Sequence, residues 1–326
     1  MTPTDLAMYS LAAIYSAMGV YLFAFIAFTF DLAKRSSEVP LETAAFADQA
    51  RSSSVRGTAV LERDTAVASP PTRASSRFER AALALTVLGW VLHVAGAVLR
   101  GIAGGRVPWA NMFEFSLTAS AIIVGVFIAV QVWQNLRFLG AYITGFSLLV
   151  LGFGTVGFYV PVAPLAPPLQ SYWLVIHVFV ATLGTAFFAV GAGLSLVQLF
   201  QARREANQFS RLKLLNTIPD AGKLESLAYR VIIVGFIFWT FTLIAGAIWA
   251  SHAWARYWGW DTKEVWTFII WTIFAGYIHA RATRGWRGSR SAYLALVGFA
   301  AVIFNFTIVN LFFKGLHAYS GFSPTE

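Results

Sequence analysis

The sequence has no cysteine and little charge, and both scarcities narrow the classes of protein it can encode. Without cysteine, the chain can form no disulfide, no thiolate metal site and no thiol redox centre of its own. Charged residues make up 12% of the 326 residues, whereas hydrophobic residues make up 58% and the mean hydropathy is +0.65. One soluble core cannot bury that much apolar surface, so the composition predicts a polytopic membrane protein.

Other familiar signals are also missing. No P-loop or HExxH motif occurs, which leaves nucleotide hydrolysis and zinc proteolysis without support. The net charge of +9 comes from basic residues in the connections between apolar segments, so we expect no nucleic acid partner. The N-terminal MTPTDLAMYS lacks the positive charges that precede a cleavable signal, so we expect the first apolar run to remain as a membrane helix.

Eight apolar segments reach the roughly 20 residues that a helix needs to cross a bilayer. They are residues 6–30, 81–101, 113–134, 138–160, 173–200, 230–250, 264–282 and 291–312. The predicted fold is therefore an all-α, polytopic membrane helix bundle of about eight transmembrane helices. Of the 24 Lys and Arg residues, those that this topology places on the outer side are Arg100, Arg106, Arg256, Lys263 and Lys314. Since positive charge favours the cytoplasmic side, both termini are predicted to be extracytoplasmic.

The chain divides into three regions on this prediction. Residues 1–30 form a first transmembrane helix, and residues 31–80, rich in Ser, Ala, Arg and Pro, are predicted to be a disordered basic cytoplasmic loop. Residues 81–320 form the main membrane domain.

A tryptophan-rich stretch at residues 249–271, WASHAWARYWGWDTKEVWTFIIW, holds half of the 12 tryptophans. Indole rings suit a membrane interface, and an aromatic belt that anchors two helices is one reading of the stretch. They equally suit a flat apolar ligand. Asp261 and Glu264 fall in D-T-K-E, which is close to a capping box at a helix start.

The five histidines differ in their predicted depth. His177 and His317 lie near the outer ends of the fifth and eighth segments, beside the tryptophan-rich stretch. Haem needs axial imidazoles, apolar walls and cationic partners for its propionates, and Arg256 and Lys263 are candidates for the last. His93 and His279 differ in depth by roughly 13 Å, which makes a shared site unfavourable, and His252 is interpreted as an interfacial side chain.

The segment YWGWDTKEVWTFIIWTIFAGYIHAR resembles the WWD signature of haem-handling proteins of cytochrome c biogenesis, and three other segments extend the likeness. LQSYWLVIHV, GAIWASHAW and VNLFFKGLHAYSGF are similar to the CcsA, or ResC, family of system II. The resemblance covers most of residues 85–320, with the WWD loop near residues 249–266. It departs at Thr262, where the family usually has proline.

This resemblance implies ligand roles for individual residues. His177 and His317 match the family's two histidines that ligate an outer haem iron, and His279 matches its membrane histidine for an inner haem iron. The residues implied to contact the porphyrin are Trp254, Trp258, Trp260, Asp261 and Trp266. The cofactor is then haem b, non-covalent and in transit, and no catalytic residue is assigned.

The implied function is transfer of haem to the extracytoplasmic face of the plasma membrane and its presentation to apocytochrome c for covalent attachment. The implied partners are a ResB-type membrane subunit, apocytochrome c and a thioredoxin-like thiol reductant protein. In this reading the chain is a subunit of a cytochrome c synthase, or haem lyase, complex. Two alternatives stay open: a haem transporter or chaperone with no synthase role, and a structural membrane scaffold without cofactor.

Overall fold

The described part of the chain is helical and contains no strand. A computed structural model describes residues 1–53, 76–206, 215, 217–283, 285–313 and 315–317, with the side chains of the first helix described as far as Arg35. The helices are α1 (Pro3–Ser53), α2 (Arg77–Gly104), α3 (Met112–Val130), α4 (Gly140–Gly157), α5 (Tyr172–Glu205), α6 (Ala221–Trp254), α7 (Thr262–Thr283), α8 (Ser289–Phe306) and α9 (Ile308–Phe312). Short 3-10 turns at Arg137–Leu139 and Pro167–Leu169 precede α4 and α5. The predicted all-α class is confirmed.

Within these described residues, seven segments are long and apolar enough to cross a membrane, and they fall on α1 to α6 and on α8 together with α9. The chain is therefore an integral, multi-pass membrane protein, as predicted. The remaining predicted segment, 264–282, corresponds to α7, a full helix of 22 residues.

Helix α1 continues past its predicted end at residue 30 and reaches Ser53. Residues 31–53 of the predicted disordered loop are thus helical, which corrects that boundary. Arg35 pairs with Asp31 one turn earlier at 2.7 Å, an i,i+4 arrangement that favours helix. The rest of the predicted loop, residues 54–75, lies outside the described residues.

The helices pack around α3, which is the most buried of the predicted spans. Helix α1 packs along α2 and α5 packs along α6, while α3 contacts α2, α4 and α5, and α7 lies against α6 and α8. Leu117, Val124 and Phe127 of α3 are fully buried. Side-chain caps start several helices: Asn111 accepts a hydrogen bond from the Glu114 N–H at α3, and Asp220 accepts one from the Lys223 N–H at α6.

Ion pairs to two buried carboxylates fix the helix ends. At the end where α2 and α4 begin, Arg35 and Arg137 pair with Glu79. At the opposite end of α2, Glu114 pairs with Arg100 at 3.0 Å and with Arg106 at 2.6 Å. Glu114 also accepts a hydrogen bond from the Ala110 N–H at 2.9 Å. Glu114 therefore fixes the loop that leads from α2 into α3.

Candidate functional site

A cavity of about 610 Å³ lies at the end of the bundle where α6 and α8 end and α3, α5 and α7 begin. Its volume falls within the range of small-molecule sites, about 300–1,000 Å³. Phenylalanines of α3, α4 and α8, among them Phe115, Phe146 and Phe299, form apolar walls. Polar side chains gather at the start of α7, and both His177 and His317 line the cavity. Two histidines far apart in sequence thus reach one space.

The imidazole of His177 is oriented by α6. Its Nδ1 lies 3.1 Å from the carbonyl oxygen of Thr242. Because a carbonyl oxygen can only accept, Nδ1 carries the proton and Nε2 keeps its lone pair. Nε2 makes no hydrogen bond to the part of the chain that the structure describes. His177 therefore presents a ring nitrogen that can bind a metal.

Two residues of α6 determine the position of the His177 ring. Trp249 stacks on the imidazole with 5.6 Å between ring centroids and 14° between planes, and its own Nε1 donates to the Pro168 carbonyl at 3.1 Å. At Gly246, an added Cβ would lie 2.8 Å from Cε1 of His177. The ring therefore needs glycine at this position.

His317 is anchored in a parallel way by a charged partner. Its Nδ1 bonds to a carboxylate oxygen of Asp261, whose side chain is 7% exposed. The hydrogen bond from His317 holds the pKa of the Asp261 carboxyl below its ordinary value, against the opposing effect of burial, so Asp261 stays an acceptor. Nε2 of His317 has no hydrogen-bond partner among the described residues. Histidine ligands of metals typically have this arrangement, with one ring nitrogen held by a carboxylate.

Trp249 joins the two histidines. Its ring lies 5.4 Å from that of His317, in an edge arrangement at 65°, as well as stacking on His177. Trp254 adds a second edge contact to His317 at 4.9 Å. Both imidazoles therefore contact the same indole ring, which holds the two histidines close together.

The loop between α6 and α7 is held in place by hydrogen bonds from its backbone N–H groups. Ala255 and Trp260 have φ angles of 56° and 59°, which bend the chain sharply at both ends of the loop. Glu264 accepts hydrogen bonds from the N–H groups of Gly259 and Asp261, at 2.8 and 3.1 Å. Glu264 therefore makes the carboxylate half of the predicted capping box, while the Asp261 side chain binds His317 instead.

The tryptophans implied by sequence occupy different places. Trp258 lines the cavity, and Trp254 contacts His317. Trp260 is 78% exposed and meets Trp258 edge to face at 5.8 Å. Trp266 packs on Phe304, with 4.4 Å between ring centroids, and is partly buried against the hydrophobic core.

The other histidines lie apart from the cavity lining. His279 is exposed near the opposite end of α7. His93 is fully buried and uses both ring nitrogens: Nδ1 lies 3.3 Å from the Tyr21 hydroxyl and Nε2 lies 2.8 Å from the Leu117 carbonyl oxygen. His252 is exposed, and its Nδ1 lies 2.9 Å from the Ile248 carbonyl oxygen.

Of the two cations expected for propionates, one lines the cavity. Lys263 lies at the start of α7 and donates to the Asn305 carbonyl at 3.0 Å and to the side chain of Asn310. Arg256 instead turns back onto its own loop, donating to the Gly259 carbonyl at 3.2 Å. Trp249, Asn305 and Asn310 are not among the site residues predicted from sequence, because no motif spacing links them to the histidines.

Residues 109–317 match the family model described as "Cytochrome C assembly protein", and this range includes the whole cavity lining. The cytochrome c biogenesis protein CcsA of Guillardia theta is 35% identical over 237 residues, which cover 68% of this chain and 79% of the relative. That of Prochlorococcus marinus (strain NATL1A) is 37% identical over 259 residues, covering 70% and 81%. The chain belongs to the cytochrome c assembly protein family. The resemblance to CcsA drawn from the tryptophan-rich stretch is thereby confirmed.

One solved structure of this fold is similar over most of the chain. The cytochrome c heme lyase CcmF superposes with a TM-score of 0.61 at 15% sequence identity, over 94% of this chain and 47% of that one. This chain thus spans about half the length of that protein, and the likeness concerns the fold.

Proposed function

We propose that this protein acts in cytochrome c maturation by binding haem b non-covalently and presenting it to apocytochrome c at the extracytoplasmic face. The observation that carries the proposal is the pair of histidines at one cavity, each anchored through Nδ1 with Nε2 unpaired. The names of the related proteins, cytochrome c biogenesis protein CcsA and cytochrome c heme lyase CcmF, support it.

The residues at the cavity fit this cargo. A bare metal ion in a protein usually takes three or four protein ligands, and no group of three His, Asp or Glu suited to one occurs within the described residues. A porphyrin brings four nitrogens of its own, so two imidazoles complete its iron. The apolar walls match its ring faces, and the tryptophans match its edge.

In this proposal, the protein's contribution is to hold and orient. His177 and His317 bind the iron axially, Thr242 and Asp261 fix their tautomers, and Trp249 keeps the two imidazoles in place. Thiols of the apocytochrome add across the haem vinyl groups, with sulfur bonding to one vinyl carbon and hydrogen to the other. This chain has no cysteine, so the substrate supplies both thiols. Positioning of this kind is itself a large catalytic effect.

The same proposal extends to the membrane and the partners. In this proposal, the basic ends of the helices face the cytoplasm, as positive charge favours, and the WWD loop and both termini lie outside the plasma membrane. His279, which is exposed at the other end of α7, binds the iron of haem at an inner site, before the haem reaches the outer site. A ResB-type subunit completes the complex, and a thioredoxin-like protein keeps the apocytochrome thiols reduced.

The test is the visible spectrum of the protein purified with its ResB-type partner, in wild type and in His177→Ala, His317→Ala and His279→Ala variants. We expect b-type haem bands in the wild type and altered ligand-sensitive bands in both outer variants. Covalent cytochrome c yield in the same cells separates synthase from transporter, since haem content without any covalent product favours the transporter. Unchanged haem content and cytochrome c yield in both outer variants would contradict the proposal.

A further inference from the structure

Three buried polar atoms of the cavity lining have no hydrogen-bond partner in the described part of the chain. They are Nε1 of Trp109, Oε1 of Glu264 and Oδ1 of Asn305. Glu264 and Asn305 are 9% and 5% exposed, so bulk water does not reach them freely. Native proteins rarely leave buried polar atoms unpaired, and a cluster of them within one cavity points to a ligand.

These atoms belong to one region of the cavity. Lys263, next to Glu264, donates to the Asn305 carbonyl at 3.0 Å and to the Asn310 side chain. Asn310 in turn contacts Met112 through its Nδ2, which lies 3.3 Å from the sulfur. Met112 begins α3, only three residues after Trp109. The start of α7, the junction of α8 with α9 and the start of α3 therefore meet here.

The region offers both hydrogen-bond donors and acceptors. An ammonium has three N–H donors, and Lys263 uses two of them on Asn305 and Asn310. Its third N–H and the Trp109 N–H are free to donate, whereas Glu264 and Asn305 can accept. Of the described residues that line the cavity, Lys263 is the one Lys or Arg. The positive end of the α7 dipole adds to the attraction for an anion.

The remaining cavity wall is apolar, formed by side chains such as Phe115, Phe146 and Phe299. A ligand that fits both parts is a flat apolar body with carboxyl groups along one edge. An ionised carboxylate would accept from Lys263 and Trp109. A second carboxyl group that keeps its proton would donate to Glu264 or Asn305.

We propose that Lys263, Trp109, Glu264 and Asn305 form a subsite for the two propionate carboxyl groups of haem. This inference rests on the proposed function and adds the orientation of the cargo. Haem carries its vinyl groups on pyrrole rings away from the propionates, so fixing the carboxyl edge fixes where the vinyl edge faces. The subsite therefore decides which edge the apocytochrome thiols meet.

The test compares ferric haem with its dimethyl ester, which keeps the ring and iron but loses both carboxyl groups. Each is titrated into the purified complex and followed by the visible spectrum and by quenching of tryptophan fluorescence. We expect the wild type to bind the free acid about ten- to a hundredfold more tightly, as one charge-assisted contact typically gives. Lys263→Met should remove most of this preference while leaving the affinity for the ester unchanged.

Two further variants sharpen the test. Arg256→Met is the matched control, because it removes a cation of the preceding α6–α7 loop that does not line the cavity, and it should keep the wild-type ratio. Trp109→Phe keeps the aromatic ring and removes one N–H, and it should lower the ratio by a smaller factor even where Lys263→Met fails to fold. If haem and ester bind equally well in the wild type, or the ratio survives in Lys263→Met and Trp109→Phe, the subsite is refuted while haem binding stands. If the wild type binds neither compound with a histidine-dependent spectrum, the proposed function fails as well.

Discussion

His317 and Asp261, 56 residues apart in the chain, are joined by a hydrogen bond from the imidazole Nδ1 to the carboxylate. This contact places the most C-terminal histidine against the residue that directly precedes α7. It also fixes the tautomer in which Nε2 is available to bind iron. Asp261 therefore acts through His317, and the following predictions begin with it.

Asp261→Asn should weaken haem binding at the outer site by about 10- to 100-fold, the usual effect of losing a carboxylate that supports a histidine ligand. The amide keeps a similar shape but loses the negative charge, so it no longer selects one tautomer of His317. A haem titration of the purified complex measures the effect. Asp5→Asn removes an equally negative side chain near the N-terminus that does not line the cavity, and it should leave the affinity unchanged.

Gly246→Ala should disturb the outer site although it replaces neither of the two proposed histidine ligands. The new Cβ would lie 2.8 Å from His177 Cε1, so the imidazole must shift away from Thr242 and Trp249. Overpacking of this kind costs about 1–3 kcal/mol in stability, and we expect a reduced haem content with altered bands. Gly276→Ala in α7, where a Cβ meets nothing within 4 Å, is the matched control. Normal haem binding in Gly246→Ala would mean that the position of the His177 ring is not critical.

His93→Ala should lower stability while leaving the haem spectrum unchanged. Both nitrogens of His93 already serve Tyr21 and Leu117, so the side chain has no lone pair left for iron. Each buried group left unpaired costs about 1–3 kcal/mol. Thermal unfolding in detergent and the visible spectrum, recorded on the same sample, separate the two effects. A lost haem band in a folded His93→Ala protein would reveal a role in haem binding.

Glu114→Gln should destabilise the cavity wall that follows α2. The change leaves Arg100, whose side chain is 1% exposed, and Arg106 without their shared carboxylate. Breaking a buried ion pair on one side typically costs about 3–5 kcal/mol, which thermal unfolding in detergent detects. Glu205→Gln is the control, because Glu205 is exposed at the other end of the bundle. Equal unfolding temperatures for both variants would show that the Glu114 cluster does not hold the loop.

The sequence predicted the fold well because long apolar segments have one stable form in a bilayer. The predicted end of α1 at residue 30 was wrong, because the composition of residues 31–53 resembles that of a linker. The Asp31–Arg35 pair stabilises the helix where it continues past that residue. Similarly, charge made Arg256 and Lys263 equal candidates, and only the fold separates them. Trp249 and Asn305 belong to the site because of contacts between helices, and spacing along the chain does not predict such contacts.

The most direct measurement of the central claim is a redox titration of haem in the purified complex, comparing wild type with His317→Met. Replacement of one imidazole by a thioether raises the reduction potential of a haem iron and changes its ligand-sensitive absorption bands. We predict bis-histidine spectra in the wild type and both of these changes in His317→Met. An unchanged potential and spectrum in a folded, haem-loaded His317→Met complex would contradict the assignment of His317 as an axial ligand.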